Sequence, residues 1–177
     1  MRYLVLLMMF SSSVFAQKYM SKDGYVHFFS EAPMENIEAE NRQVAGVVDA
    51  TTGEFAFKVL IEAFQFEKSL MQEHFNENYM ESDQYPFSTF TGSIKGFEKL
   101  DLSARQEVEV SGQMSMHGVA KKIKVLATVW MEEEQLSLES SFIIKLEDYN
   151  IDIPKIVMYN IAEEIDVKLK MQLPKVE

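Results

Sequence analysis

Over residues 55–63 the chain places Phe55, Phe57, Val59, Ile61 and Ala63 on one side of an extended backbone, and Glu54, Lys58 and Glu62 on the other. Side chains alternate faces along a strand, so the run predicts a strand with one dry face and one wet face. The pattern returns at Ile123, Val125, Ala127, Val129 and Met131, at Phe142, Ile144 and Leu146, and at Val167, Leu169, Met171 and Leu173. Repetition over most of the chain predicts an all-β fold, with antiparallel sheet closed around an apolar interior. Whether that interior is packed solid or left hollow for a ligand decides what the fold can do.

Strands are further expected over 25–29 and 43–48, and over 87–97, 106–116, 121–131, 136–146 and 161–173. Lys22, Asp23 and Gly24 read as a turn, and Asp49, Ala50, Thr51, Thr52 and Gly53 as a hairpin connection. Other turn signals stand at Asp101, at His117 and Gly118, and at Glu132, Glu133 and Glu134. Over 67–79 the period changes: Leu70, Met71, His74 and Phe75 fall at helical spacing, opposite Glu67, Lys68, Gln72, Glu73 and Glu77. A short amphipathic helix between strands follows, ended near Pro86. Pro154 suits a first helical position, which predicts a second helical turn over 154–159. No composition break divides the chain, so a single domain of about eight strands and two short helices is expected.

The first residues are of another kind. Met1 and Arg2 precede a short apolar run from Tyr3 to Phe10, then three serines, then Val14, Phe15 and Ala16 before Gln17. This is the pattern of a secretory signal cleaved after Ala16, leaving a domain over 17–177. The run is too short for the roughly 20 residues that span a bilayer, and no later segment is apolar enough, so stable membrane insertion is not expected. Removing 16 of 177 residues leaves 161, enough for one sizeable core. The chain has no cysteine, which excludes disulfides, thiol catalysis and lipid attachment through an N-terminal cysteine. Export without cysteine suits a periplasmic or otherwise secreted protein of a bacterial envelope.

The net charge is −11, and becomes −12 once Arg2 leaves with the signal. Such a surface repels nucleic acid and anionic headgroups. His27, His74 and His117 lie on different elements without metal-ligand spacing, so no metal is expected. Gly112, Ser115 and Gly118 lack the spacing of a nucleophile elbow, and Ser115 reads as a strand residue. Glu147, Asp148 and Asp152 read as solvated loop charges, and Glu132 to Glu134 as a hairpin tip without the spaced ligands of a calcium loop. No catalytic residue and no cofactor emerges, and the chain is not expected to be an enzyme. Thirteen phenylalanines and twelve methionines suit either an irregular apolar cavity or an ordinary core.

Three stretches carry a resemblance. In HFNENYMESDQYPFSTFTGSI, over 74–94, a helix-to-strand passage ends in Tyr85, Pro86, Phe90 and Gly92. In GQMSMHGVAKKIKV a strand, a His-Gly turn and a further strand run through Gly112, His117, Gly118 and Lys121. FIIKLEDYNIDIP and the later EIDVKLKMQL complete the order. Together these resemble the YceI-like family over most of the chain, from Phe55 to Leu173. Two positions depart from its pattern: the first strand offers Asp23, Gly24, Tyr25, Val26, His27 and Phe28 where the family has an Asp and a His-Ser pair. Asn150 stands for the glycine usual after the aromatic at Tyr149, a replacement that tolerates positive φ.

The resemblance implies an eight-stranded antiparallel, lipocalin-like β-barrel that holds a polyisoprenoid, isoprenoid quinone or fatty-acyl chain in an elongated cavity. On strand parity the cavity would be lined by Phe55, Phe57, Val59, Ile61, Val125, Val129, Met131, Phe142, Ile144 and Leu169. Leu70, Met71 and Phe75 of the expected helix would cover one end of the barrel. The partner would then be a polyisoprenoid or related lipid, with a homodimer left open. The contrasting expectation is a structural or interaction protein with the same barrel and a filled core.

Overall fold

The computed structural model describes residues 17–31, 36–153 and 162–176. The expected signal and the helical turn over 154–159 lie outside the described residues. The strands are β1 (Lys18–Ser30), β2 (Ile37–Asp49), β3 (Glu54–Leu60), the two-residue β4 (Gln65–Phe66), β5 (Phe87–Ile94), β6 (Gln106–Met116), β7 (Val119–Glu132), β8 (Gln135–Lys145) and β9 (Glu164–Leu173), with one short helix α1 (Ser69–His74). They pair antiparallel in the order β1-β9-β8-β7-β6-β5-β3-β2, and β1 pairs again with β2. The sheet is thus a closed eight-stranded barrel, and β4 prolongs the line of β3 along β2. The expected fold class is the observed one.

Alternation explains the later strands directly. On β7, Val125, Ala127 and Val129 turn inward, opposite Val110, Val108 and Gln106 of β6, while Lys122, Lys124 and Leu126 are exposed. The strands β1 and β2 are longer than the expected 25–29 and 43–48, and Lys22, Asp23 and Gly24 are not a turn. Ser21 faces Gly46 and Gly24 faces Val44, so Lys22 and Asp23 together oppose Ala45. The next matched pair is Val26 with Asn41, so Arg42 and Gln43 oppose Tyr25. These are two β-bulges, one on each strand, and each shifts the inward parity by one. Tyr19 and Val26 are therefore both buried on β1, as are Asn41 and Val44 on β2, although each pair is an odd number of residues apart.

The strand expected over 55–63 also ends early. After Leu60 the chain makes a 3₁₀ turn over Ile61–Ala63 before β4. The fully buried Asn41 compensates the interruption: its Nδ2 donates to the Leu60 carbonyl at 2.8 Å, and its Oδ1 accepts from the Gln43 amide at 2.8 Å. One side chain thus satisfies backbone groups freed by a bulge and by a strand end. The expected helix over 67–79 divides into α1 and a π-helical turn, Phe75–Tyr79. The strand expected over 87–97 stops at Ile94, followed by a 3₁₀ turn at Phe97–Lys99. Asn150 takes φ 53°, in keeping with its place in the sequence.

The two ends of the barrel differ. At the end bearing the β2–β3 and β7–β8 hairpins, Leu173, Leu136, Met171, Phe97 and Tyr19 are between 0% and 6% exposed, and the Met131 amide donates to the Leu102 carbonyl at 2.8 Å. That end is packed solid by side chains and folded over by the β5–β6 connection. The other end carries α1, the His117 turn and the 3₁₀ turn Leu146–Tyr149. Among the described residues no helix is long and apolar enough to cross a membrane.

Replacing Asn41 by leucine keeps the volume but strands the Leu60 carbonyl and the Gln43 amide in the interior. A loss of about 2 kcal/mol is expected, which for a domain of this size is a fall of roughly 4–8 °C in thermal melting. An unchanged melting temperature would show that these backbone groups do not depend on Asn41.

Candidate functional site

Above the plug of Leu136, Met171 and Leu173, the barrel encloses a cavity of about 580 Å³. Its size lies within the roughly 300–1,000 Å³ of small-molecule sites. Eight of the described lining residues are phenylalanines; Ser30, His74, Tyr79, Ser88, Thr89 and Ser140 are the polar ones, and none is Asp, Glu, Lys or Arg. Even these polar groups are partly committed. The Ser140 hydroxyl donates to the Leu126 carbonyl at 2.7 Å, and the Ser30 hydroxyl accepts from the Ala162 amide at 3.0 Å. Burial pushes the Tyr79 phenol above its ordinary pKa, so it stays a neutral hydroxyl.

A hollow interior in a barrel of eight strands requires that large inward side chains lie along the wall. Three inward glycines arrange this. Gly46 faces Phe57, Gly92 faces Phe55, and Gly112 lies beside Phe90. A Cβ at Gly46 would stand 2.6 Å from the Phe57 ring, one at Gly92 3.0 Å from the Phe55 ring, and one at Gly112 2.7 Å from the Phe90 ring. Each ring therefore lies flat across a neighbouring strand. Phe55 contacts Phe57 at 5.4 Å and Phe90 at 5.0 Å between centroids, which makes a continuous aromatic floor.

At the other end the Phe75 ring lies over part of the mouth of the lumen. Its ring stacks on Phe28 at 5.6 Å and meets Phe64 at 5.4 Å and Phe66 at 5.0 Å. Phe28 comes from β1, Phe66 from β4, and Phe75 from the first residue of the π-helical turn. The Met80 amide donates to the Phe75 carbonyl at 2.9 Å, one residue further than an α-helix allows. Widening the turn lets Tyr79 and Met80 reach the cavity together with Met71 and Phe75. The loop after the turn is fastened by His117, whose Nε2 lies 2.9 Å from Glu81 Oε2 and whose Nδ1 lies 3.1 Å from the Tyr149 carbonyl. Tyr85 packs edge-on against the same ring at 4.8 Å, in space left by Gly118. Both nitrogens face acceptors, so only a ring carrying both protons donates to both.

Of the residues assigned to the wall from sequence, Phe55, Phe57, Val59, Ile61, Val125, Val129, Phe142, Ile144 and Leu169 line the cavity. Met131 does not. It is the last inward residue of β7, opposite Leu136, at the end filled by side chains. Of the three assigned to a cover, Met71 and Phe75 line the cavity, four apart on one helical face, whereas Leu70 is 59% exposed. The sequence reading missed Phe28, Phe64, Phe66 and Phe90. Phe28 was hidden because Phe29 beside it makes both faces of β1 apolar, and Phe64 and Phe66 because they follow the 3₁₀ turn. Phe90 sits in clean alternation with Gly92 and Ile94, a signal that was legible. Asp148 pairs with Lys121 instead of with another carboxylate, and among the described residues no group of three or more His, Asp or Glu is placed to hold a metal ion.

A closed antiparallel barrel with an apolar lumen, floored by rings on glycines, is the class of protein these features define. The family model of the YceI-like domain matches residues 20–173, and the chain belongs to that family. Among solved structures it is similar to a polyisoprenoid binding domain from Saccharophagus degradans implicated in plant cell wall breakdown, at 14% identity and a TM-score of 0.79, covering 92% of this chain and 100% of that one. BcnA of Burkholderia cenocepacia aligns at 17% identity and a TM-score of 0.70, covering 83% and 94%. The YCEI protein of Campylobacter jejuni aligns at 14% identity and 0.64, covering 83% and 89%. No curated protein sequence matches the chain.

Alanine at Gly46 is expected to drive the Phe57 ring off the wall. Such overpacking costs about 1–3 kcal/mol, read as a lower melting temperature, and a crystal structure of the variant should show a smaller lumen. A variant with the original stability and lumen would mean the ring does not need the glycine.

Proposed function

We propose that this protein is an exported, non-catalytic carrier or buffer that holds a long apolar lipid chain, a polyisoprenoid, isoprenoid quinone or fatty-acyl chain, in the barrel cavity. The observation that carries the reading is the cavity of about 580 Å³ whose described walls hold no charged side chain. The structural likeness to a polyisoprenoid binding domain supports the same ligand class. Each methylene moved from water into such a wall gains roughly 0.8 kcal/mol. Against that stand the ordering costs of the ligand and the side chains around it. A chain of many methylenes therefore needs no ionic contact to bind, and selection falls to the length and shape of the lumen. Such a protein sequesters its ligand and releases it unchanged.

Organic extraction of the purified protein followed by mass spectrometry is the direct test, with a stoichiometric lipid expected. Recovery of folded protein that neither carries nor takes up any lipid would favour a purely structural role. Arginine at Val125, which stands in the wall opposite Val110, should abolish lipid retention. Circular dichroism must show that the variant folds, because a buried unpaired charge is itself destabilising. A folded Val125→Arg protein that retains lipid would remove Val125 from the binding surface.

Export is the second part of the reading and rests on the leader ending in Val14, Phe15 and Ala16. Mass analysis of protein from the cell envelope should find an N-terminus at Gln17. Recovery of the chain with Met1 retained in a membrane fraction would contradict release into the periplasm or medium.

A further inference from the structure

The barrel wall is not equally knit all the way round. Between β7 and β8 the ladder runs from the pair Glu132 and Gln135 to the pair Ala127 and Ser140, and stops there. Continued in the same register it would join Leu126 with Ser141 and Lys124 with Ile143, and it does not. Both strands nevertheless run on: β7 keeps its ladder with β6 as far as Val119, and β8 keeps its ladder with β9 as far as Lys145. The two strands therefore part while each stays bonded to its other neighbour, which leaves a window in the wall between residues 121–126 and 141–145. At its lower end the Ser140 hydroxyl donates to the Leu126 carbonyl at 2.7 Å. Its upper end is crossed by Lys121, paired with Asp148, and by His117 Nδ1, 3.1 Å from the Tyr149 carbonyl.

Burial follows the window. Val125, Phe142 and Ile144 line the cavity and are only half-buried, whereas their register partners on the far sides, Val110, Val167 and Ile165, are between 5% and 8% exposed. On the outside Leu126 and Ile143 are 56% and 58% exposed. The lysines beside them are drawn away from the window, Lys124 to Glu109 of β6 at 2.8 Å and Lys145 to Glu164 of β9 at 2.9 Å. An apolar path thus leads from the lumen, between the two strands, to an apolar rim. Widening the window breaks no register pair, while parting β8 from β9 along Ser141 to Lys145 would break five. Backbone hydrogen bonds that are broken and left unpaired are costly, so sideways opening costs less here than along that intact seam.

Resting on the carrier reading above, we propose that the window between β7 and β8 is the passage through which the apolar chain of the ligand enters and leaves the lumen, with Leu126 and Ile143 as its outer contacts.

The sequence has no cysteine, so thiols can be placed at chosen positions alone. The full-length protein, freed of lipid, is given retinol and, separately, a pyrene-labelled long-chain alcohol, and uptake and release to phosphatidylcholine vesicles are timed by fluorescence. In Lys124→Cys/Ile143→Cys the thiols stand on the two sides of the window and are joined by a short bis-maleimide. Gln113→Cys/Lys122→Cys, an exposed register pair of the intact β6–β7 ladder, is joined in the same way as the control. The bridge across the window should slow uptake and release alike, by at least about tenfold, and leave the amount bound at equilibrium unchanged, because a passage alters both rates and neither end state. The control bridge and the unbridged double variant should match the original protein. Where the double variant does not fold, a bulky maleimide on Ile143→Cys alone, at an exposed position, gives the same reading. Unaltered rates in the bridged or labelled protein would overturn the proposal and leave the carrier reading in place, and faster uptake by Phe75→Ala alongside them would place the route under the cover. A fall in the amount bound with release unslowed would also overturn it, since the window would then be binding wall alone. If the unmodified protein takes up neither probe, the carrier reading falls, and this inference with it.

Discussion

Closure of the hydrogen-bonded ladder is the constraint on which everything else in this molecule depends. Each of the eight barrel strands has a neighbour on both sides, so the backbone is satisfied without any edge to protect. The fold therefore does not require its centre to be filled in order to hold its shape. The seam between β1 and β2 makes this possible. Its two bulges, one on each strand, add twist and bend where a long hairpin must wrap round the barrel, and Asn41 supplies the polar contacts that the disturbed ladder lacks. Exposed ion pairs such as Lys124 with Glu109 and Lys145 with Glu164 decorate the outside, where water screens them.

Division of the interior into a plug and a lumen follows from side-chain volume. At the hairpin end, Leu136, Met171, Leu173 and Phe97 are between 0% and 3% exposed and fill the interior, Met171 lying over Gly24 and Gly46. One layer further along, Gly46, Gly92 and Gly112 take the positions beside Phe57, Phe55 and Phe90, and the rings spread along the wall. An empty apolar space forfeits the dispersion contacts its lining atoms would otherwise make. Any occupant that fits it stabilises the folded state by mass action. Stability and occupancy are thus linked in this barrel through the same few rings.

Strand parity made the class of fold legible, together with β6 to within its ends and most of β7, β8 and β9. What parity could not show is where it slips. Lys22, Asp23 and Gly24 have turn chemistry, yet they form a bulge, because a bulge and a turn both favour glycine with small polar neighbours. The 3₁₀ turn at Ile61 escaped for a related reason: Ile61 and Ala63 continue the alternation of β3 while the backbone has already left it. Nine of the ten residues assigned to the wall do line the lumen, but Met131 and Val129 are indistinguishable by pattern. Both are apolar, inward and on one strand, and only the packing of Leu136 opposite Met131 separates plug from lumen. The helix over the mouth was legible from its change of period, and its π turn was not, since one wider hydrogen-bonded turn leaves the spacing of Leu70, Met71 and Phe75 unaltered.

Among the described residues the cover is held by few buried side chains. No residue of α1 or of the π-helical turn is fully buried, whereas each of the eight barrel strands carries at least two buried residues. The cover meets the barrel through the ring contacts round Phe75 and through the Phe66 amide, which donates to Gln72 Oε1 at 3.4 Å, and its C-terminal loop is fixed by His117, held between Glu81 and the Tyr149 carbonyl. Local opening draws on elements with few buried contacts, at a free energy far below that of global unfolding. His117 thus joins the loop after the π turn to the β6–β7 turn and to the 3₁₀ turn Leu146–Tyr149. The rings of Phe28, Phe64 and Phe66 come from the barrel and the segment after β3, so the ring cluster at the mouth is built mainly from outside the cover.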